Sequence, residues 1–68
     1  MKRVGDTIMS NDNDSMIPEL HHKSGVLLAI VREGQNGPLL YQVRLDEPVI
    51  RKGWSTLEVI FFRDYELR

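Results

Sequence analysis

Hydrophobic residues occur in two distinct patterns in the middle of the chain. Leu39–Asp46 alternates between apolar and polar residues, with Leu39, Tyr41, Val43 and Leu45 on one side. That period of two predicts a half-buried β-strand. Val26–Arg32 is instead a nearly unbroken apolar run, which predicts a strand covered on both faces. Gly34-Gln35-Asn36-Gly37-Pro38 lies between them and predicts a tight hairpin, with positive φ angles at Asn36 and Gly37.

Weaker patterns predict strands at both ends of the chain. Met1–Ser10 reads as a first strand with a bend at Gly5-Asp6. Glu58–Phe62 reads as another, with Val59 and Phe61 on one face and Ile60 and Phe62 on the other. The last six residues predict a short 3-10 turn and a few extended residues that return Leu67 to the core.

Two segments show no regular period. Residues 10–24 begin with six polar, turn-prone residues, Ser10-Asn11-Asp12-Asn13-Asp14-Ser15, and predict a long flexible loop. Ile17 and Leu20 are expected to tuck against the sheet from its return arm. Val49–Leu57 is also irregular and contains the single tryptophan, Trp54.

Turn signals recur about every ten residues and no long amphipathic helix is predicted, a spacing typical of a small sandwich or barrel. The 68 residues allow one domain, 1–68. We therefore expect an all-β domain of about five short antiparallel strands, with a long first loop and a terminal 3-10 turn. The chain has no cysteine, so its stability must come from packing or from a partner protein.

The order of these features resembles the SH3-like small β-barrels of bacteria and plastids. The matching pieces are Val4-Gly5-Asp6-Thr7-Ile8, Lys23-Ser24-Gly25-Val26, Tyr41-Gln42-Val43-Arg44-Leu45 and the ending Glu66-Leu67. Such barrels include a small accessory protein of photosystem I, the variable chain of ferredoxin–thioredoxin reductase, and small bacterial and phage proteins. Every matching piece is a folding motif, so the resemblance implies a fold and, more loosely, a docking or accessory role. The longer, more acidic first loop departs from the photosystem I protein.

Charge and hydropathy disfavour a nucleic-acid partner, a membrane span and a secretory signal. The net charge is −1 and neither half of the chain is biased, whereas nucleic-acid binders usually carry a basic patch. The longest apolar run, Val26–Val31, is too short for a membrane helix. Residues 1–9 lack the apolar core of a secretory signal. A cytoplasmic protein is the expectation.

Sites for metal or catalysis are not predicted. His21 and His22 are adjacent, so their side chains diverge in an extended chain and would not chelate one ion together. The Asp12-Asn13-Asp14 start of an EF-hand loop lacks its glycine, where Ile17 stands, and its last glutamate, where Lys23 stands. No serine lies in a nucleophile elbow and no phosphate loop is present. We expect no cofactor, no metal, no small-molecule substrate and no enzymatic activity.

The first candidate binding residues are Trp54 and its neighbours Arg51 and Lys52. The others are Phe62, one of two adjacent phenylalanines, and Ile17. Trp54 either closes one end of the barrel or anchors a partner. The favoured hypothesis is a non-enzymatic interaction module that docks on a protein or on its own copy. The alternatives are a nucleic-acid-binding barrel using Arg51, Lys52, Trp54 and Arg32, and a non-catalytic component of a larger enzyme complex.

Overall fold

A computed structural model describes residues 2–50, 53 and 56–68. Four antiparallel strands lie in one sheet, in the order of the sequence: β1 Thr7–Met9, β2 Ser24–Arg32, β3 Leu39–Val49 and β4 Leu57–Arg63. Two 3-10 segments complete the elements, at Pro18–Leu20 and Asp64–Glu66. The described residues include no α-helix. Neither 3-10 segment among them is long and apolar enough to cross a membrane. The all-β prediction is confirmed, with four strands defined rather than about five.

The alternation predicted for β3 is confirmed, because Tyr41, Val43 and Leu45 are all buried. This strand forms the centre of the sheet, with β2 and β4 on its two sides. It continues to Val49, beyond the predicted end at Asp46, because its register with β4 shifts between Arg44 and Val49 and pairing resumes at Val49 and Leu57.

One face of the sheet is covered. The buried core consists of Ile8, Met16, Leu27, Tyr41, Val43, Leu45, Val49, Phe62 and Leu67. Met16 and Leu20 come from the first loop, so that loop covers part of the sheet. Leu67 returns to the core directly after the second 3-10 segment, as predicted.

The first two strands also differ from the sequence expectations, β1 in extent and β2 in burial. The first strand is short, Thr7–Met9, because a turn with Gly5 at φ 96° precedes it. The second strand is not covered on both faces, since Ile30 and Val31 are 38% and 44% exposed. Among the described residues, no other segment covers this second half of β2.

The β2–β3 hairpin does not use the predicted Asn-Gly geometry. Positive φ occurs at Gly34, 74°, and not at Asn36 or Gly37. Gly37 is required for a different reason, because a Cβ atom there would lie 1.6 Å from the carbonyl oxygen of Glu33. The Glu33 N–H donates to the Pro38 carbonyl across the same loop at 2.9 Å. Two glycines thus serve the turn in two distinct ways.

Candidate functional site

A β-bulge in β2 decides which side chains face away from the core. Leu27 pairs with Val43 and Ala29 with Gln42, so Leu28 is an extra residue between them. Such an insertion reverses the alternation of side chains beyond it. Val31 consequently points to the outer face instead of continuing the buried series of Leu27.

Three rows of side chains therefore cross β2, β3 and β4 on the outer face. Directly opposite residues of neighbouring antiparallel strands share a face. The rows are Val26, Arg44 and Val59; Ala29, Gln42 and Phe61; and Val31, Leu40 and Arg63. We call these nine residues the outer patch.

Phe61 occupies β4 in the middle row of the outer patch and is 54% exposed. Val59 and Val31 are 45% and 44% exposed. Ala29 and Leu40, from the other two strands, are half-buried between them. Single exposed apolar residues are common, whereas several on one sheet face make that face a candidate interaction surface.

Two arginines also belong to the outer patch, Arg44 between Val26 and Val59, and Arg63 beside Leu40. The Arg63 guanidinium lies 3.1 Å from a carboxylate oxygen of Glu33, a pair in which both side chains remain substantially exposed. Arg44 is exposed and makes no ion pair within the described residues. The outer patch therefore presents an aromatic ring, aliphatic side chains and one arginine with its charge uncompensated there.

Phe62 lies in the core, whereas Ile17 lies in the first loop, where its candidate binding role stays a prediction. Phe62 is 1% exposed and packs in the core, so it is not available to a partner, and Phe61 takes its place as the candidate. Ile17 is half-buried at the start of the 3-10 segment Pro18–Leu20. Trp54, Arg51 and Lys52 lie outside the described residues.

The two histidines contact other groups separately. His21 places its Nε2 atom 3.1 Å from the Asn13 carbonyl oxygen. His22, which has φ 54°, places its Nδ1 atom against the Arg68 guanidinium. Within the described residues no three His, Cys, Asp or Glu side chains come together as a metal site would need.

Polar residues of the first loop make hydrogen bonds within the loop and to the second 3-10 segment. The Asn11 and Asn13 side-chain oxygens accept the N–H groups of Asn13 and Ser15, at 2.8 and 2.9 Å. The buried Glu66 carboxylate accepts the Ser15 hydroxyl at 2.5 Å and the Arg63 N–H at 2.8 Å. Every buried side-chain polar atom among the described residues has a partner. These bonds give Asn11, Asn13 and Ser15 a structural role, and the predicted flexibility of the loop stays a prediction.

Ser10 is the fully buried member of this network. Its hydroxyl donates to the Leu20 carbonyl at 2.5 Å and accepts the Lys23 N–H at 2.8 Å. One side chain therefore joins β1 to the far end of the first loop. The sequence pattern could not assign this role, because serine at a loop boundary is ordinarily solvated.

Tyr41 is the buried group with a perturbed pKa. Burial raises the pKa of the Tyr41 phenol, and the charge of Asp64 and a hydrogen bond to its carboxylate raise it further. The Lys2 ammonium lies 5.7 Å from the centre of the ring and 3.8 Å from an Asp64 oxygen. Lys2 thus contacts both the Tyr41 ring and the first residue of the second 3-10 segment.

Two open clefts have polar linings. One of about 540 Å³ is lined by Lys2, Asp6, Thr7, Ile8, Met9 and Arg68. The other, of about 370 Å³, is lined by His22, Lys23, Ser24, Asp46 and Glu47. Ligand pockets are mostly apolar with a few convergent polar groups. Neither cleft has that character, so the outer patch is the better candidate.

Phe61 could have been found from the sequence by one signal. Two adjacent phenylalanines in an alternating strand must face opposite sides. The alternation of the strand does not show which of its two faces lies against the core.

No protein-family model, no curated protein and no solved structure matches this chain.

Proposed function

We propose that the protein is a non-enzymatic interaction module that docks on another protein chain through the outer patch. One observation carries this proposal: Phe61 is 54% exposed on a sheet face where Val59 and Val31 are also exposed, and where β3 contributes Arg44, Gln42 and Leu40. A rigid aromatic side chain on a rigid element is the usual anchor of a protein interface. Burying a phenylalanine contributes roughly 1.5–3 kcal/mol relative to leaving it exposed.

The chemistry of the patch suits an apolar partner that carries a carboxylate. Val59 and Phe61 would supply the apolar contact. Arg44, opposite Val59 on β3, would meet an acidic group and fix the orientation. Charges at the rim of an interface contribute more to specificity than to affinity.

Site-specific photo-cross-linking in the cells that make the protein tests this proposal. A benzoylphenylalanine placed at Phe61 should give protein adducts that protease removes and nuclease leaves intact. The same group at Gln35, an exposed residue of the β2–β3 loop, is the matched control. Equal adduct yields at both positions would contradict docking through the outer patch.

Nucleic-acid binding is the second candidate, because Arg44 and Arg63 lie on the same sheet face as the exposed Phe61. Sheet faces of this kind can stack a nucleobase and contact phosphate. In that case the adducts at position 61 would be nuclease-sensitive. Affinity would also fall steeply with salt, whereas apolar docking would hardly change.

We also infer that the sheet curls into a small, partly open barrel of the SH3-like kind, with residues 66–68 acting as a minimal fifth strand beside β1 and the outer edge of β4 left unpaired. Support comes from the bridge between Ser10 and Leu67. The Asn11 N–H donates to the Glu66 carbonyl at 2.8 Å, and the Arg68 N–H donates to the Met9 carbonyl at 2.9 Å. These bonds join the chain after β4 to the outer side of β1. Amide hydrogen exchange tests closure, since the amides of Asn11 and Arg68 should be protected like those of β2.

A further inference from the structure

The free edge of β4 carries an inference that rests on the proposed function and names its partner. We propose that two copies of this chain associate by pairing β4 with β4, antiparallel, about a two-fold axis at Ile60. The strand order makes β4 outermost, with β3 on one side only. The opposite outermost strand, β1, is bonded on its outer side by Arg68 and bridged at Ser10. Along Leu57–Phe62, β4 thus has no bonded segment on its outer side among the described residues, whereas β2 is unpaired on its β1 side only beyond Leu27.

The composition of β4 favours pairing. Leu57–Arg63 contains no proline, glycine or lysine, and its middle is Val59-Ile60-Phe61-Phe62. Monomeric proteins usually protect an edge strand with lysine, proline, a bulge or a covering segment. Here Glu58 is the one charge inside the strand, and Arg63 ends it.

The self-register follows from strand length, facing and charge. A two-fold axis perpendicular to the sheet places odd-numbered residues opposite odd-numbered ones, which keeps side chains on matching faces. Ile60 is the middle residue of the seven in β4, so an axis there aligns the two strands along their length, with the new ladder bonds between Val59 and Phe61 because Glu66 already accepts the Arg63 N–H. It sets Val59 opposite Phe61 of the second copy and brings no like charges together. An axis at Phe61 would instead align only Val59–Arg63 of the two strands and would bring Glu58 toward Asp64, the first residue of the following 3-10 segment.

Backbone geometry agrees with this register. The Arg63 N–H donates to the Glu66 carboxylate at 2.8 Å, so it points away from β3. Alternate residues of a strand direct their N–H and C=O groups to the same side. The N–H and C=O groups of Phe61 and Val59 therefore also point to the free edge. In the proposed register they face one another across the two-fold axis, and each such pair exchanges two N–H···O bonds.

Pairing would also join the two outer patches. The row Ala29, Gln42, Phe61 of one copy would continue into Val59 and Arg44 of the second copy. Each Phe61 ring would gain an aliphatic neighbour and lose part of its exposure. The continuous sheet would then present a doubled apolar face to any further partner.

Mass in solution tests association itself. Sedimentation of the purified chain should give a particle of twice the 7.9 kDa chain mass. The double substitution Val59→Lys with Phe61→Lys opposes like charges across the axis and should return it to a monomer. Val31→Lys is the control, because Val31 has similar exposure on the same face but lies on β2. It should stay dimeric. A wild-type monomer at the highest soluble concentration, or loss of the dimer in Val31→Lys, would overturn the proposal.

Disulfide trapping tests the register, since the chain has no cysteine and any introduced thiol is unique. Directly opposite positions lie within the Cα separation that a disulfide spans. A mixture of the Val59→Cys and Phe61→Cys variants should cross-link far more than either alone, and Val31→Cys should not cross-link. Cross-linking of Phe61→Cys alone would move the axis to Phe61 and overturn the register. A monomer that still gives protein adducts at position 61 in cells would overturn this inference and leave the proposed function standing. The absence of any adduct would remove both.

Discussion

Phe61 and Phe62 are adjacent in β4, yet one is 54% exposed and the other 1%. The pleat of the strand is the whole cause, because successive side chains leave it on opposite faces. The same residue type therefore contributes to stability at one position and is available for recognition at the next. This pair gives a direct test of the assignment of core and surface.

Phe62→Ala should lower the free energy of unfolding by about 3–5 kcal/mol, because it removes a fully buried ring and leaves a cavity. Phe61→Ala, the matched control, should change it by no more than about 0.5 kcal/mol. Urea denaturation of both variants, at concentrations where the chain is monomeric, measures the difference. Equal losses would contradict the placement of the two rings.

Ser10 tests the buried polar network at the scale of a single hydroxyl. Ser10→Ala removes the partner of the Leu20 carbonyl and of the Lys23 N–H. Unsatisfied buried groups should cost about 1–3 kcal/mol of unfolding free energy. Ser24→Ala is the control, because the Ser24 hydroxyl bonds an exposed Asp46 carboxylate. If the two variants lose the same stability, Ser10 does not anchor the first loop as described.

At the scale of elements, the β2–β3 hairpin depends on a close approach of backbone atoms. Gly37→Ala would place a methyl group against the Glu33 carbonyl and force the loop to move. We expect a loss of about 1–3 kcal/mol, typical of overpacked sites. Gln35→Ala, in the same exposed loop, should be neutral. Thermal unfolding of both variants checks this, and a neutral Gly37→Ala would show that the loop adapts freely.

The sequence predicted those elements whose faces differ in polarity. In β3 the alternation of Tyr41, Val43 and Leu45 with polar residues identified both the strand and its buried side. In β2 the apolar run contained no such difference, and the bulge at Leu28 reversed its facing without any local signal. The exposed side of Val31 was therefore unpredictable from period alone.

The candidate site was predicted only in part, for a related reason. Period established that one of Phe61 and Phe62 faces outward, but only the neighbouring strands determine which face the core covers. The structural role of Ser10 and Met16 also depends on where the long first loop folds back. Such contacts join residues far apart in sequence, and local propensity does not report them.

At the scale of the whole molecule, the buried Tyr41 makes stability depend on alkaline pH. Burial and Asp64 raise its folded-state pKa above the ordinary value of 10.0. Below that pH the phenol is neutral in both states, so stability is fully present. As pH rises further, Tyr41 ionises in the unfolded chain first. The free energy of unfolding therefore decreases until the Tyr41 phenol ionises in the folded state as well.

Urea midpoints measured between about pH 9 and about pH 11 should therefore decrease for the wild type as tyrosine begins to titrate. Tyr41→Phe removes the titrating group while keeping the ring, and its midpoints should decrease less over the same range. If the urea midpoints of the two proteins decrease equally over this pH range, Tyr41 does not cause the loss of stability at alkaline pH.

The bridge between Ser10 and Leu67 has a kinetic consequence. Pairs between consecutive strands close short loops, whereas this bridge joins the beginning of the sheet to its last residues. Long loops close at a higher entropic cost, so this contact should form after the transition state for folding. Leu67→Ala should then mainly accelerate unfolding, while Val43→Ala, in the central strand, should mainly slow folding. The fold would thus assemble outward from β3, and the bridge that forms last would limit how long the native state persists.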